Sequence, residues 1–180
     1  MNVFISGGCK NGKSMYAQEI ARDMAREQGV PMYYLATMIP TDDEDSARIR
    51  RHIGERDGWG FTTIEQGRNI LEALGEGIDP KGVFLLDSVT ALLSNEMFRP
   101  DFTTDFEAGE RVAHELVRFA KETGNTIFVS DTIYSDAQIF DSYTEEYRRA
   151  LAHIDRALAK ACDQVIEVAF GHKYLYKETE

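Results

Sequence analysis

The sequence has 180 residues, 43% hydrophobic and 28% charged, a composition that indicates one globular domain over 1–180. Its formal net charge of −11 argues against binding to nucleic acid or to an anionic membrane surface, and no apolar run approaches the roughly 20 residues of a membrane span. The two cysteines, Cys9 and Cys162, do not form a disulfide framework, so we expect free thiols and a cytoplasmic protein.

The first predicted element is a buried strand over 3–6 that leads into a glycine-rich turn. Gly7, four further residues and then Gly12-Lys13-Ser14 have the spacing of a phosphate-binding loop. Glycines let backbone N–H groups converge on an anion, and the helix that follows adds the positive end of its dipole. A chance match is the alternative, but the flanking strand and helix favour the loop. We expect Lys13 to reach the β- and γ-phosphates of a nucleotide and the Ser14 hydroxyl to bind Mg²⁺.

A helix and a second buried strand follow the loop. The spacing predicts a helix over 12–28, with Met15, Ile20 and Met24 facing the sheet, and a strand over 31–37. In open parallel sheets, ligands bind at the carboxyl ends of the strands. The residues at that end of the second strand are Ala36, Thr37 and Met38.

A helix predicted over 46–56 carries one histidine between two arginines. Arg48, His52 and Arg56 are four residues apart and so share a face. The neighbouring positive charges disfavour the imidazolium, and a neutral imidazole is the form that a nucleophile or a base requires. The same spacing also fits a solvated helix face on which the histidine has no role.

Two further strands end in carboxylates. A short strand ends at Glu65, which either faces the site or is an ordinary surface carboxylate. An apolar run over 82–86 ends at Asp87, as does the strand that holds Mg²⁺ in P-loop proteins. A buried strand ending in aspartate also arises by chance, but its combination with a phosphate loop favours the magnesium role.

The rest of the chain continues to alternate between helices and strands. We predict helices over 88–96, 105–122 and 143–161, and strands over 125–130, 164–169 and 172–176. The last of these follows a turn at Gly171 and returns as an antiparallel edge strand. The predicted fold is therefore α/β, a P-loop NTPase-like doubly wound, mainly parallel sheet with an antiparallel C-terminal edge strand.

Four stretches have a more specific pattern. They are Ser6 to Ser14; Tyr34 to Thr37 with Asp42-Asp43-Glu44; Ala47 to His52 with Arg56 and Glu65; and Leu85 to Thr90 with Asn95. Together they resemble the adenosylcobinamide kinase / adenosylcobinamide-phosphate guanylyltransferase family of cobalamin biosynthesis.

The resemblance implies two reactions on one protein. Such enzymes phosphorylate the aminopropanol hydroxyl of adenosylcobinamide with ATP or GTP. They then form a covalent GMP–histidine from GTP and transfer GMP to the corrinoid phosphate. The family histidine falls on His52, with Lys13 as the second catalytic residue. A magnesium ion on Ser14 and Asp87, a corrinoid substrate, and a homo-oligomer, often a trimer, are also implied.

The resemblance also implies a set of nucleotide-binding residues. They lie in the phosphate loop, at the end of the second strand, after the histidine and at two strand-end carboxylates, and are Gly7, Gly8, Cys9, Lys10, Asn11, Gly12, Lys13, Ser14, Ala36, Thr37, Met38, Ile53, Gly54, Glu55, Arg56, Glu65 and Asp87.

The second half of the chain departs from the family pattern. Where the family usually has Asn-Glu-Val-Gly, this chain has Ser130-Asp131-Thr132-Ile133, and a later arginine-rich segment is only faintly echoed over 147–149 and 155–156. The corrinoid-binding residues, the phosphoryl donor and the retention of both activities therefore stay open. The alternatives are a P-loop kinase for another small alcohol, without guanylylation, and a non-catalytic nucleotide-binding regulatory module.

Overall fold

A computed structural model of the chain describes residues 1–40, 43, 53–54, 58–135 and 137–179. Its strands form one sheet. They are β1 (Val3–Gly7), β2 (Met32–Ala36), β3 (Phe61–Glu65), β4 (Val83–Asp87), β5 (Thr126–Val129), β6 (Gln164–Ala169) and β7 (His172–Glu178).

Helices connect most of these strands. They are α1 (Lys13–Gln28), α2 (Val89–Met97), α3 (Ala108–Thr123), α4 (Ser142–Ala161) and a short 3₁₀ helix (Ile70–Leu74). The inward spacing of Ile70, Leu71 and Leu74 predicts a helix over 67–74, and the structure has the shorter 3₁₀ helix there. Within the described residues, no helix combines the length and apolar character that a membrane crossing requires.

The strand order is β3-β2-β4-β5-β1-β6-β7. Every neighbouring pair is parallel except β6 and β7, which form an antiparallel pair at the edge. This confirms the predicted fold class, including the antiparallel edge strand. Because the parallel strands all point the same way, their carboxyl ends, including that of β1 with its glycine-rich turn, meet at one edge of the sheet.

The sheet is covered on both faces, as expected of near-continuous apolar strands. Side chains of α2, α3 and α4 pack on one face, with Leu116, Phe119 and Leu151 fully buried among them. On the other face α1 packs through Ala17, Ala21 and their neighbours.

The orientation of α1 corrects one prediction. Met24 is buried and Ile20 packs against the core, as predicted, but Met15 is 42% exposed. Met15 lies in the first turn of α1, where it lines a cavity. Small side chains such as Ala17 and Ala21 occupy the sheet-facing positions, because they let the helix pack closely.

Candidate functional site

The carboxyl ends of four strands form the floor of a cavity. Ala36 on β2 lies in register with Glu65 on β3 and with Asp87 on β4, and Asp87 is in turn in register with Val129 on β5. All four residues line the same cavity of about 740 Å³. This volume is within the usual range for small-molecule sites, roughly 300–1,000 Å³.

The phosphate loop forms one wall of this cavity. The remaining lining residues come from that loop, the start of α1, the segments after β2 and β3, and the ends of β4 and β5; they include Cys9, Lys10, Asn11, Gly12, Lys13, Ser14, Met38, Ile39, Gly67 and Asp131. The structure thus brings the predicted phosphate loop, Ala36, Met38, Glu65 and Asp87 together at one site.

The loop conformation depends on glycine at its first position. Gly7 has φ +146°, and a Cβ there would overlap the Val168 carbonyl oxygen and the Asn11 side chain. The Asn11 amide donates a hydrogen bond to that same carbonyl. Gly12, with φ +91°, caps the start of α1. The loop is therefore held against β6 at one end and opens into the helix at the other.

Lys13 is the most unusual charged group of the site. Its side chain is only 5% exposed. Its ammonium donates to the Gly8 carbonyl at 2.6 Å, to Asn11 Oδ1 at 3.3 Å and to Asp131 Oδ1 at 2.9 Å. These partners match the three N–H donors of an ammonium group. A phosphate that binds Lys13 must therefore replace at least one of them.

Asp131 was not among the predicted site residues, although it faces the phosphate loop. It follows β5, the neighbour of β1, and its backbone N–H donates to Thr90 Oγ1 at 3.0 Å. The sequence does contain a pattern that could have identified it: like Asp87, Asp131 is a carboxylate at the end of an apolar strand. What the sequence did not supply was the strand order that sets β5 beside β1.

Asp87 lies at the end of β4, as predicted. The Tyr34 hydroxyl donates to its Oδ2 at 3.0 Å. Carboxylate and hydroxyl oxygens suit a hard cation, and Mg²⁺ is usually held by one or two carboxylates together with substrate phosphates. Ser14 and Asp87, on the walls of one cavity, fit that description. Among the described residues, no group of three or more His, Cys, Asp or Glu side chains forms a metal cluster of its own.

Hydrogen bonds fix the segments after β2 and β3. Thr37 is fully buried, and its hydroxyl donates to the Ser88 carbonyl and accepts from the Ser88 N–H, both at 2.8 Å. Asn95 donates to the carbonyls of Thr37 and Gly67, at 2.7 and 2.9 Å. The predicted nucleotide residue Thr37 thus uses its hydroxyl to join two strand ends.

A buried carboxylate lies behind the segment that carries Asp131. Asp155 on α4 is 4% exposed and accepts hydrogen bonds from Ser130 Oγ at 3.1 Å and from the Tyr134 hydroxyl at 2.8 Å. Burial raises the pKa of Asp155 to about 6, while the two donors oppose this rise and the negative charge of Asp131 adds to it. Its other oxygen, Oδ1, is buried and has no hydrogen-bond partner among the residues that the structure describes.

The remaining predicted residues have different outcomes. Arg48, His52, Glu55 and Arg56 lie outside the described residues. Ile53 and Gly54 are described and exposed, and they are not among the residues that line the cavity. Cys9 is an exposed free thiol and Cys162 a buried one, as expected.

A family model described as "Cobinamide kinase / cobinamide phosphate guanyltransferase" matches residues 3–175. The match extends well beyond the first hundred residues, where the sequence resemblance is strongest.

Two curated relatives have the name "Bifunctional adenosylcobalamin biosynthesis protein CobU". The protein from Escherichia coli (strain K12) is 32% identical over 99 residues, which are 54% of this chain and 51% of that protein. The protein from Salmonella typhimurium is 23% identical over 182 residues, which are 95% of this chain and 97% of that protein.

Among solved structures, a KaiC-like protein from Pyrococcus horikoshii OT3 superposes with a TM-score of 0.56 at 14% identity, covering 99% of this chain and 79% of that chain. At this identity the likeness concerns the fold alone, and it agrees with the predicted P-loop NTPase-like class.

Proposed function

The chain belongs to the cobinamide kinase / cobinamide phosphate guanyltransferase family, and from this premise we propose that it catalyses both reactions of that family on one domain. It phosphorylates adenosylcobinamide with ATP or GTP, and it transfers GMP from GTP to adenosylcobinamide phosphate. The observation that carries the proposal is the shared cavity, in which a phosphate loop with a buried lysine faces the carboxylates Glu65 and Asp87.

In the kinase reaction, the loop N–H groups and Lys13 hold the triphosphate. Lys13 moves from its protein acceptors to the phosphates and offsets the charge that spreads over their oxygens in the transition state. Ser14 and Asp87 would hold Mg²⁺, which supplies further positive charge to the same oxygens. The acceptor is the aminopropanol hydroxyl of the corrinoid.

In the guanylyltransferase reaction, His52 is the nucleophile. Its neutral imidazole forms a bond to the α-phosphorus of GTP as the bond to pyrophosphate breaks. The phosphate of adenosylcobinamide phosphate then attacks the same phosphorus and releases the histidine. This role rests on the sequence pattern around His52, since that residue lies outside the described part of the chain.

The proposal includes the cellular setting and the assembly. The free thiols of Cys9 and Cys162 support a reducing cytoplasm. A homo-oligomer, with a trimer as the first expectation, follows from the sequence resemblance.

The decisive experiment uses GTP labelled at the α-phosphate. We expect a covalent label that is stable in alkali and labile in acid, lost in His52→Ala and strongly reduced in Lys13→Ala. His114→Ala is the matched control, because His114 is an exposed histidine on α3 and should leave the label unchanged.

Two other outcomes of this experiment would favour the alternative functions. Phosphorylation of adenosylcobinamide without any label, at every magnesium concentration tried, would leave a kinase and remove the guanylyltransferase half. Nucleotide binding without transfer of either group would instead support a regulatory module.

A further inference from the structure

The ion pair between Lys13 and Asp131 joins the phosphate loop to a carboxylate on the neighbouring strand end. The Nζ–Oδ1 distance is 2.9 Å, and the side chains are 5% and 26% exposed. We propose that Asp131 is the general base of the kinase reaction, and that Lys13 holds its carboxylate in place until a triphosphate takes the lysine over. This inference rests on the proposed kinase activity.

The backbone around Asp131 is fixed on both sides. Ser130 N–H donates to the Ile5 carbonyl at 3.0 Å, and Thr132 N–H donates to the Gly7 carbonyl at 3.1 Å. The intervening N–H of Asp131 bonds Thr90 Oγ1. These contacts continue the pairing with β1 beyond the end of β5, so the carboxylate stays beside the phosphate loop.

Residues of α4 anchor the segment that follows. The Arg148 guanidinium donates to the Ile133 carbonyl at 3.2 Å and to the Gln138 carbonyl at 3.0 Å. Asp155 accepts hydrogen bonds from Ser130 and Tyr134, on either side of Asp131 along the chain. A base that is held in position before the substrate binds lowers the entropic cost of reaching the transition state.

Lys13 also relates Asp131 to the reacting phosphate. A phosphate-loop lysine contacts the β- and γ-phosphates. Two oxygens that bond to the same ammonium nitrogen, each at about 2.9 Å, lie within about 6 Å of each other. When the γ-phosphate takes one of the N–H donors of Lys13, the ion pair with Asp131 weakens. The carboxylate then lies within about 6 Å of the phosphate oxygens and can accept a proton from the hydroxyl that attacks there.

Asp87 and Glu65, the other carboxylates of the cavity, are less suitable as the general base of the kinase reaction. Asp87 accepts a hydrogen bond from the Tyr34 hydroxyl and has the metal-holding position at the end of β4. Glu65 lies on β3, and β2, β4 and β5 separate that strand from β1. Of the three, Asp131 is the one in contact with the lysine.

The hydroxyl oxygen of the corrinoid forms a bond to the γ-phosphorus. The bond from that phosphorus to the β,γ-bridging oxygen breaks, and its electron pair stays with the nucleoside diphosphate. The hydroxyl proton passes to a carboxylate oxygen of Asp131 and is released to water as the products leave.

The guanylyltransferase reaction does not require a general base. Its first nucleophile is a neutral imidazole and its second is a phosphate oxygen that is already deprotonated near pH 7. A base at position 131 should therefore matter to one reaction and not to the other, and this difference makes the proposal testable.

The test compares Asp131→Asn and Asp131→Glu with wild type in three assays on the same preparations. These are single-turnover phosphorylation of adenosylcobinamide, formation of the GMP adduct, and GMP transfer to preformed adenosylcobinamide phosphate. For Asp131→Asn we expect phosphorylation to slow by about 100-fold or more, the usual range for loss of a general base. We expect the two GMP reactions to stay within about threefold, and Asp131→Glu to regain part of the kinase rate.

Asp23→Asn is the matched control. Like Asp131→Asn, it removes the carboxylate of an ion pair. The pair is that of Asp23 with Arg26, on the exposed face of α1. This variant should change none of the three rates. A retained GMP adduct shows that an Asp131→Asn preparation is folded and binds nucleotide, and thermal unfolding compared with wild type identifies a misfolded one.

Three results would overturn the inference alone. They are an unchanged kinase rate in Asp131→Asn, an equal loss of all three reactions in a variant whose thermal unfolding matches that of wild type, and a kinase loss that saturating Mg²⁺ restores, since that would make Asp131 a metal ligand. If wild-type protein does not phosphorylate adenosylcobinamide at all, the proposed kinase activity is wrong and this inference is wrong with it.

Discussion

Asp155 should make the stability of the folded chain depend on pH. Burial raises the pKa of this carboxyl from its ordinary 3.8 to about 6, and the nearby charge of Asp131 acts in the same direction. Folding therefore favours the protonated form. The stabilising contribution is complete below about pH 4 and is lost as the pH rises through 6.

The size of the effect follows from the difference between the two pKa values. A difference of about two pKa units corresponds to about 3 kcal/mol. Replacement by asparagine keeps an oxygen that can accept from Ser130 and Tyr134 but removes the titration. The free energy of unfolding of Asp155→Asn, relative to wild type, should therefore rise by about 2.5 kcal/mol between pH 4 and pH 7.5.

Urea unfolding of both proteins at several pH values measures this difference directly. Carboxylates that are remote from Asp155 contribute equally to both proteins and cancel in the comparison. Tyr134→Phe is an informative second variant: it removes a hydrogen bond that lowers the pKa of Asp155, so the loss of stability with rising pH should become larger and extend to higher pH. The reasoning is wrong if the difference between wild type and Asp155→Asn is the same at pH 4 and pH 7.5.

Two further predictions concern the phosphate loop and the core. Gly7→Ala should abolish nucleotide binding and lower stability by about 2 kcal/mol or more, because φ is +146° and the new methyl overlaps the Val168 carbonyl oxygen. Gly8→Ala is the matched control: its methyl would meet no atom of the described residues within 4 Å, so thermal unfolding should stay unchanged. Leu116→Ala should cost about 3 kcal/mol in urea unfolding with an unaltered m-value, since Leu116 is fully buried between α3 and the sheet. Normal stability in Gly7→Ala, or a loss below about 1 kcal/mol in Leu116→Ala, would contradict the described packing.

Local patterns were sufficient to predict most of the fold. The apolar runs at β1, β4 and β6 and the repeat of apolar residues along α3 and α4 are each contained within a short stretch of chain. The phosphate loop was equally clear, because its glycines, lysine and serine are consecutive or nearly so. Even the antiparallel edge strand could be predicted from a turn at Gly171.

The tertiary structure decided which of these pieces meet. Lys13 and Asp131 are 118 positions apart, and they touch only because β5 lies next to β1 in the strand order. Asp155 is an ordinary helix residue in the sequence, and it becomes a carboxylate with a raised pKa only where α4 buries it against Ser130 and Tyr134. Periodicity reports how a segment interacts with its own neighbours, whereas strand order and burial depend on the packing of the whole chain. The sequence therefore determined the nucleotide-binding loop, and the packing of the strands determined the carboxylate that faces it.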